Sequence, residues 1–158
     1  GSYANALKKI KQNLNLNLIK HEVFKKKKPI LGICVGMQSF SENGHEFTKT
    51  KGLGWIKGDV KKMKTKPYIL PQIGWNNLVL GKEENKLFSK ISSKDFFYFV
   101  HSFKFNVSNK KDVLASSIYN ERFPSVISKK NIIGVQFHPE KSQSSGLKLL
   151  KNFIENFK

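Results

Sequence analysis

An uninterrupted apolar run at residues 30–34, Ile-Leu-Gly-Ile-Cys, constrains the fold more than any other feature of this chain. A run without polar alternation is typical of a strand covered on both faces, as the strands of a parallel sheet are. Residues 35–40 follow with the composition of a helix start, so Cys34 lies at a tight turn from strand to helix. This order predicts an α/β fold.

The other predicted elements fit the same fold class. Apolar residues spaced three and four apart predict one helix over residues 2–24 and an amphipathic helix over residues 146–157. Further β-prone runs predict strands, and glycines and prolines mark turns in the middle of the chain. These runs cover residues 96–100, 113–119, 125–127 and 131–137. We find no repeat or linker, and we expect one domain over residues 1–158 with a mixed arrangement of strands in its middle.

Length and composition exclude several classes of protein. With 158 residues, of which 39% are hydrophobic, the chain can bury a sizeable core. No apolar run approaches the roughly 20 residues of a membrane-spanning helix. The single cysteine excludes an internal disulfide framework and a thiolate zinc cluster, and the four histidines are scattered, so we infer no metal and no organic cofactor. One cysteine and no recognisable signal peptide favour a cytoplasmic location.

The net charge of +18 by itself suggests a surface for nucleic acid or an anionic membrane. Its make-up argues against such a surface, because Arg122 is the only arginine and the lysines are spread along the chain. Arginine is the usual reader of bases and phosphates, since its planar guanidinium binds two acceptors at once. We therefore expect solvated lysines and no nucleic-acid or membrane partner. A basic binding module is the alternative from another class of protein.

Residues 32–36, Gly-Ile-Cys-Val-Gly, have the form G-x-C-x-G, which is the thiol version of a nucleophile elbow. Small residues flank the nucleophile in such a turn because larger side chains would clash. The turn places the sulfur of Cys34 at a helix N-terminus, whose dipole and free N–H groups favour the thiolate. The N–H of Val35 is then placed to bind an oxyanion. By itself the pattern leaves open a buried, unreactive cysteine.

A second motif, His138-Pro139-Glu140, supplies what a cysteine nucleophile needs. His138 follows an apolar run and is expected at the carboxyl end of a strand, where α/β proteins place their sites. A histidine can deprotonate the thiol and protonate a leaving amine, and Glu140 can orient the ring. Taken alone, these three residues more often mean a surface histidine beside a solvated glutamate.

Together the two motifs resemble those of the class I (triad) glutamine amidotransferases, with Gly-Ile-Cys-Val-Gly-Met-Gln at residues 32–38 and Phe-His-Pro-Glu at residues 137–140. Further segments resemble one subfamily, the glutaminase subunit of imidazole glycerol phosphate synthase in histidine biosynthesis. They lie at residues 51–58, 73–76, 99–103 and 137–153. The last is the most specific, because other class I members do not usually continue His-Pro-Glu with Lys-Ser-Gln. The resemblance implies a flavodoxin-like α/β fold with a mixed, mostly parallel sheet and flanking helices.

The resemblance also implies a role for each matching position. Cys34 is expected to attack the side-chain amide of glutamine, giving a thioester and ammonia, with His138 as base and then acid and Glu140 as its orienting group. The implied substrate-binding positions are Val35, Gly36, Gln38, His101, Ser102 and Phe103. The implied partner is a (β/α)₈ cyclase barrel that receives the ammonia as the second subunit of a heterodimer. The positions that face this partner are Trp75, Asn76 and Lys141.

The chain departs from the family in two respects. Family members are longer, and this chain lacks their first strands and helices, so we expect an incomplete sheet with an exposed edge. Residues 1–4, Gly-Ser-Tyr-Ala, resemble the end of the family's Pro-Gly-x-Gly-Ser loop, which supplies the second part of the oxyanion site. The second departure is smaller: Val35 stands where leucine is commoner, and Pro71-Gln72 stands where the family usually has a histidine. These replacements favour a specialised paralogue.

Two further expectations concern how such a subunit works. The glutaminase alone is expected to be nearly silent until the barrel subunit completes or reorients the oxyanion site. Within the same chemistry, the alternative is a paralogue that feeds ammonia to a sugar amidotransferase in surface-polysaccharide assembly, because the ammonia acceptor belongs to the partner.

Overall fold

The computed structural model describes residues 2–81 and 83–157. The helices in these residues are α1 (Tyr3–Asn13), α2 (Leu16–Lys20), α3 (Val35–Ser39) and α4 (Gln143–Asn156), and a π-helical turn at His21–Lys25 directly follows α2. The strands are β1 (Ile30–Ile33), β2 (Asn43–Glu46), β3 (Thr48–Lys51), β4 (Gly58–Lys62), β5 (Gln72–Asn77), β6 (Val79–Leu80), β7 (Phe96–His101), β8 (Phe103–Val107), β9 (Val113–Tyr119), β10 (Glu121–Lys129) and β11 (Ile132–Val135).

These strands form three sheets. The largest has the order β1-β11-β10-β9-β6, the second has the order β3-β2-β4-β8, and the third is a ribbon of β5 and β7. β1 pairs in parallel with β11, in the register that sets Ile33 opposite Val135. Among the described residues, β1 is an edge strand of its sheet. An apolar groove of about 140 Å³ lies along it and is lined by residues of α1, α2 and β1.

The mixed α/β architecture is confirmed, but the proportion of parallel to antiparallel strand pairs differs from the expectation. Among the described strand pairs, β1–β11 and β2–β4 are parallel, and the remaining pairs are antiparallel. Parallel pairs are thus the minority in this part of the chain, contrary to the mostly parallel sheet that the resemblance implied. The reason lies in tight connections such as the single residue Asn120 between β9 and β10, because so short a link joins antiparallel neighbours only.

The predicted helix over residues 2–24 is divided in the structure. α1 ends at Asn13 because Leu14 is extended, with φ −118° and ψ 137°. The side-chain oxygen of Asn15 then accepts the N–H of Leu18 at 3.0 Å and so caps a new helix, α2. Asparagine favours such caps over helix interiors, and the spacing of apolar residues does not register this preference. The other predicted elements are confirmed as β1, α3, β7, β9, β10, β11 and α4, although α4 begins at Gln143 rather than at residue 146.

Two groups of buried side chains form the core. The larger is formed by side chains of the β1–β11–β10–β9 sheet, β7 and α4, and its rings pack in tilted and edge-to-face pairs with centroids 4.3–5.8 Å apart. These rings belong to Phe97, Phe99, Phe123 and Phe137. The smaller group, which includes Tyr3 and Leu7, joins α1 and α3 to the second sheet. In the part of the chain that the structure describes, no helix is long and apolar enough to span a membrane.

The corner between β1 and α3 is too tightly packed for a side chain at one of its two glycines. A Cβ atom at Gly32 would lie 2.6 Å from the Phe40 ring and 2.8 Å from the carbonyl group of Gly36. A Cβ atom at Gly36 itself would meet nothing within 4 Å. The predicted steric need for small residues on both sides of Cys34 is therefore confirmed at Gly32 and wrong at Gly36.

We expect Gly32→Ala to lower the free energy of unfolding by about 1–3 kcal/mol, because the new methyl group must displace the Phe40 ring or the α3 backbone. Gly36→Ala is the matched control, and its effect should stay below about 1 kcal/mol because the site is open and alanine favours helix. Urea denaturation followed by circular dichroism measures both variants. Equal destabilisation by the two would contradict the packing of this corner.

Candidate active site

Cys34 lies on a strained turn between β1 and α3. Its backbone has φ 52° and ψ −112°, a positive-φ conformation that costs a residue other than glycine roughly 1–3 kcal/mol. The turn is held on both sides: the Cys34 N–H donates to the Val135 carbonyl at 2.8 Å, and the Gln38 N–H donates to the Cys34 carbonyl at 3.1 Å. The backbone therefore has the elbow shape that the sequence predicted.

His138 and Glu140 form a hydrogen-bonded pair just beyond β11. The backbone N–H of His138 donates to the Tyr98 carbonyl at 2.9 Å, and its own carbonyl accepts the Ser142 hydroxyl at 2.6 Å. The ring atom Nδ1 lies 2.7 Å from Glu140 Oε1. Since a carboxylate only accepts, Nδ1 carries the proton and Nε2 is left as the basic nitrogen.

The parallel pairing of β1 with β11 brings Cys34 to the sheet edge from which His138 extends. In this register Cys34 lies beside Gln136, and His138 is two residues further along. Among the described residues, the side chain hydrogen-bonded to the sulfur is that of Gln136, whose Nε2 lies 3.7 Å from Sγ, whereas the hydrogen bond of the His138 ring goes to Glu140. Contacts for proton transfer are often long in a free protein and shorten when substrate binds.

Burial raises the pKa of the Cys34 thiol above its ordinary value of 9.0. The Val35 N–H and the Gln136 amide act in the opposite direction, and the Glu140 carboxylate adds to the increase, but burial has the largest effect on this pKa. The N–H of Val35 at the start of α3 favours the thiolate, as the sequence predicted, but burial of the sulfur outweighs it in the free chain.

A cavity of about 220 Å³ opens beside the sulfur. Its size is below the roughly 300–1,000 Å³ of drug-sized ligand pockets and suits a molecule as small as an amino acid. Its lining consists of Cys34, Val35, Gln38, Glu46, Pro71, Val100, His101, Ser102 and Phe103. The substrate-binding positions implied by the resemblance are thus brought together, except for Gly36. That glycine lines the apolar groove along β1 instead.

Gln38 has both hydrogens of its side-chain amide engaged within the chain. Its Nε2 donates to the Phe103 carbonyl at 3.1 Å and to Gln136 Oε1 at 3.0 Å. What Gln38 can offer a molecule in the cavity is therefore its carbonyl oxygen, which is an acceptor.

His101 is buried beside the cavity and uncharged. Its Nδ1–H donates to the Phe103 carbonyl at 2.8 Å, and its Nε2 lies 3.1 Å from the side-chain amide of Gln72, from which the unprotonated nitrogen accepts. Burial lowers the pKa of His101 to about 4, so the ring is neutral at pH 7. His101 consequently cannot offer a positive charge to a carboxylate. The N–H groups of the neighbouring backbone are the donors that could bind one.

Glu46 and Gln136 belong to the site although the sequence did not point to them. Glu46 ends β2 and lines the cavity, and its Oε2 accepts the Tyr3 N–H at 2.6 Å. No pattern marks it, because β2 is a short polar strand. Gln136 is fully buried and contacts the sulfur. Here a signal was available, since one polar residue inside the apolar run 132–137 demands a buried partner.

The ribbon of β5 and β7 turns one apolar face outward. We call the exposed side chains of Ile73, Trp75 and Phe96, together with the half-buried Tyr98 on the same face, the ribbon face. Trp75 is 48% exposed, which excludes its interpretation as a plain core residue, and its ring packs edge-on against Tyr98 with centroids 5.9 Å apart. The Lys141 Nζ lies 5.9 Å from the centre of the same Tyr98 ring, so Trp75 and Lys141 border one surface.

Asn76 is the third position that the resemblance placed opposite a partner, but its side chain is hydrogen-bonded within the chain. Its Nδ2 donates to the Ile118 carbonyl at 3.0 Å, and its Oδ1 accepts the Asn77 N–H at 2.9 Å. The side chain therefore fastens the ribbon to β9.

The structure describes residues 2–4 of the segment 1–4 that was expected to supply the second part of an oxyanion site. Gly1 lies outside the described residues. Ser2 caps α1 by accepting the Asn5 N–H at 3.4 Å, and Tyr3 begins the helix.

Within residues 2–81 and 83–157, no group of histidine, cysteine and carboxylate side chains is placed to hold a metal ion.

Comparison with models of protein families matches residues 10–157 to the family described as glutamine amidotransferase class-I. Because the match spans most of the sequence, this chain belongs to the class I glutamine amidotransferases.

Within this family the chain is similar to HisH subunits of imidazole glycerol phosphate synthase. It is 47% identical to HisH of Pelagibacter ubique over 81% of its own length, and 42% identical to HisH 2 of Vibrio vulnificus and HisH 1 of Methanococcus maripaludis over 98%. It spans 62%, 72% and 76% of the lengths of these three relatives. The chain therefore groups with the HisH subunits, as the sequence motifs predicted.

Solved structures share the fold. The chain aligns with a crystal structure of a glutamine amidotransferase with a TM-score of 0.70 and 15% identity, over 98% of this chain and 74% of that one. It aligns with PurLQS from Thermotoga maritima with a TM-score of 0.65 and 16% identity, over 92% and 70% of the two chains. At such low identity the likeness concerns the fold alone.

We expect His101 to make the fold less stable as the pH falls from 6.5 towards 4, by about 2–3 kcal/mol in all. The unfolded chain takes up a proton near pH 6.5, whereas the folded ring resists it down to about pH 4, so protonation favours the unfolded state in that window. Above it both states are neutral and this loss is absent.

Urea unfolding between about pH 5 and pH 6.5 measures this effect, since carboxylates such as Asp95, whose pKa is lowered to about 2, affect stability mainly below that window. His101→Gln should flatten the dependence on pH there. A variant with the slope of the wild type would show that His101 is not the cause.

Proposed function

We propose that this chain hydrolyses the side-chain amide of L-glutamine and supplies the ammonia to a synthase subunit that forms imidazole glycerol phosphate and AICAR. The observation that carries the proposal is the strained Cys34, which opens into an amino-acid-sized cavity beside the edge where the His138–Glu140 pair stands. The similarity to HisH subunits supports the choice of pathway.

In the first half of the reaction, Nε2 of His138 takes the proton of the Cys34 thiol while the sulfur attacks the amide carbon of glutamine. Since burial raises the thiol pKa, this proton transfer belongs to the attack itself and not to a standing thiolate. The amide oxygen becomes an oxyanion that accepts the Val35 N–H. Glu140 stabilises the imidazolium through the Nδ1 hydrogen bond.

In the second half, the imidazolium of His138 returns its proton to the amide nitrogen, the carbon–nitrogen bond breaks, and ammonia leaves a thioester on Cys34. Water then attacks the thioester while the same ring takes one of its protons. The carbon–sulfur bond breaks, glutamate leaves, and the His138 imidazolium returns its proton to the sulfur, which restores the thiol and the neutral ring.

The charged end of glutamine requires two kinds of partner in the cavity. Glu46 is the acidic residue among the described lining residues, and we assign it to the α-ammonium group. The backbone N–H groups at Ser102 and Phe103 are the donors for the α-carboxylate, because His101 is neutral. Oε1 of Gln38 is left to accept an N–H of the substrate.

The ribbon face is the surface that we assign to the barrel subunit. Several large apolar side chains exposed together on one element mark an interaction site better than scattered ones do. Lys141 borders this surface and directly follows Glu140, so a bound partner contacts the chain one peptide bond from the proposed triad. A single cysteine thiol that must stay reduced suits a cytoplasmic location.

We expect 6-diazo-5-oxo-norleucine, an electrophilic mimic of glutamine, to add once to the chain at Cys34 when the barrel subunit is present. Free glutamine should suppress the adduct. Cys34→Ala should give no adduct and lose glutaminase activity by at least about 10³-fold, because the covalent step is then impossible. Intact-mass spectrometry and ammonia release measure these effects.

A folded chain that stays unlabelled with its partner bound would overturn the proposal. If that chain instead bound DNA or RNA with a steep loss of affinity in salt, the basic binding module would replace it. Labelling that does not respond to the barrel subunit would contradict activation by the partner.

We expect Glu46→Gln to raise KM for glutamine by about 10- to 100-fold with little change in kcat, since it removes the charge opposite the α-ammonium group. Glu42→Gln is the matched control, because Glu42 is an exposed carboxylate of the same segment whose Oε2 accepts the Gly58 N–H at 3.0 Å. Steady-state kinetics of the complex measures both. Equal values of KM in the two variants would remove Glu46 from substrate binding.

A further inference from the structure

Gln136 is a buried amide for which neither the fold nor the proposed mechanism accounts. It is fully buried directly after β11, whose residues are all apolar or glycine. An apolar residue would complete this run at lower cost, because a buried polar group loses free energy unless its hydrogen-bonding atoms are satisfied. The presence of an amide here therefore calls for a specific use.

The orientation of this amide follows from a backbone carbonyl. The Phe103 carbonyl can only accept, so Gln38 must turn its NH₂ group towards it, at 3.1 Å. The second hydrogen of that NH₂ group points to Gln136 at 3.0 Å, so Gln136 must present its oxygen there. The NH₂ group of Gln136 is then left to face the sulfur of Cys34, at 3.7 Å. No other orientation satisfies the three groups at once.

The backbone on both sides of this contact is fixed. The Gln136 N–H donates to the Ser125 carbonyl at 2.8 Å, and the Cys34 N–H donates to the Val135 carbonyl at the same distance. The donor and the sulfur thus lie just beyond the ends of two strands that pair in a fixed register. The amide cannot leave the sulfur without breaking its bond to Gln38.

We propose that Gln136 is a positioning residue, whose Nε2–H donates to the Cys34 sulfur, holds it at the cavity and stabilises the thiolate when it forms. A hydrogen bond to an ionised acceptor is stronger than one to its neutral form, so this contact favours the charged sulfur. It acts against the burial that raises the pKa of the same thiol. The inference rests on the proposed function for its use, but the contact itself can be tested without glutamine.

The test is the alkylation of Cys34 by iodoacetamide as a function of pH. Because the chain has one cysteine, the rate reports this thiolate alone. Gln136→Met has a similar shape and lacks the donor, and we expect its midpoint to rise by about half a unit to one unit. The rate at pH 7 should then fall about 3- to 10-fold.

Gln72→Met is the matched control. Gln72 is also a buried glutamine, 3% exposed, but its hydrogen bond goes to His101 and not to the sulfur. Its variant should keep the wild-type midpoint. Gln38→Met removes the group that orients Gln136, and we expect a rise in the midpoint that is smaller than that of Gln136→Met. Circular dichroism establishes that each variant is folded.

An unchanged midpoint in folded Gln136→Met would overturn the proposal, and so would an equal rise in Gln72→Met, which would mean a general loosening of the core. If Gln136→Met does not fold, Gln38→Met carries the test, and its unchanged midpoint would overturn the proposal as well. In the complex with the barrel subunit, Gln136→Met should lower kcat and leave KM unchanged. A wild-type complex that does not release ammonia from glutamine would overturn the proposed function while leaving the thiol titration interpretable.

Discussion

The parallel pairing of β1 with β11 is the constraint on which the rest of the site depends. It joins residues about a hundred positions apart in the chain, with Ile33 opposite Val135. This register sets Cys34 beside Gln136 and places His138 beyond the end of the neighbouring strand. A slip of one residue would turn every side chain of the strand to the other face of the sheet and separate these groups. The close contact at Gly32, which leaves no room for a Cβ atom, fixes α3 on the same framework.

The sulfur of Cys34 experiences two opposed effects. Burial raises its pKa, while the Val35 N–H and the Gln136 amide lower it, and burial dominates in the free chain. A protonated nucleophile is less exposed to stray electrophiles, since the thiolate is the reactive form. The site then depends on His138 for activation, and the hydrogen bond of this ring goes to Glu140, while the bond to the sulfur comes from Gln136. A change that brings the ring to the sulfur would therefore act as the activating step in the proposed reaction.

The ribbon of β5 and β7 connects the outside of the molecule with the cavity. Side chains alternate along both strands, so the inner face carries Gln72 and His101 while the outer face carries Trp75 and Tyr98. Residues that are only a few positions apart in the sequence thus lie either on the buried face or on the exposed face of the ribbon. Pressure on the ribbon face reaches the buried Gln72–His101 pair through two short strands, and His101 in turn contacts the carbonyl to which Gln38 is bonded. The ribbon therefore lies between the proposed partner surface and the cavity.

The sequence alone determined the parts of this protein that depend on local pattern. The apolar run before Cys34 and the glycine at position 32 specify a strand and a sharp turn, the His-Pro-Glu motif specifies an oriented base, and the spacing of apolar residues specifies α4. These residues were also sufficient to recognise the family. Local patterns work here because backbone preferences and side-chain chemistry belong to each residue and its near neighbours.

Only the tertiary structure decided the properties that arise between distant segments. The Cys34 pKa is raised because much of the chain covers the sulfur, and the N–H of the neighbouring Val35, which lowers this pKa, is the weaker effect. Gln136 comes to the sulfur from a segment far along the sequence, and Glu46 comes to the cavity from β2, a strand of another sheet. Asn76 follows the tryptophan in the chain but bonds to Ile118, because alternation along a strand sends neighbours to opposite faces. Burial and hydrogen-bond partners depend on which segments meet, and that is a property of the folded chain as a whole.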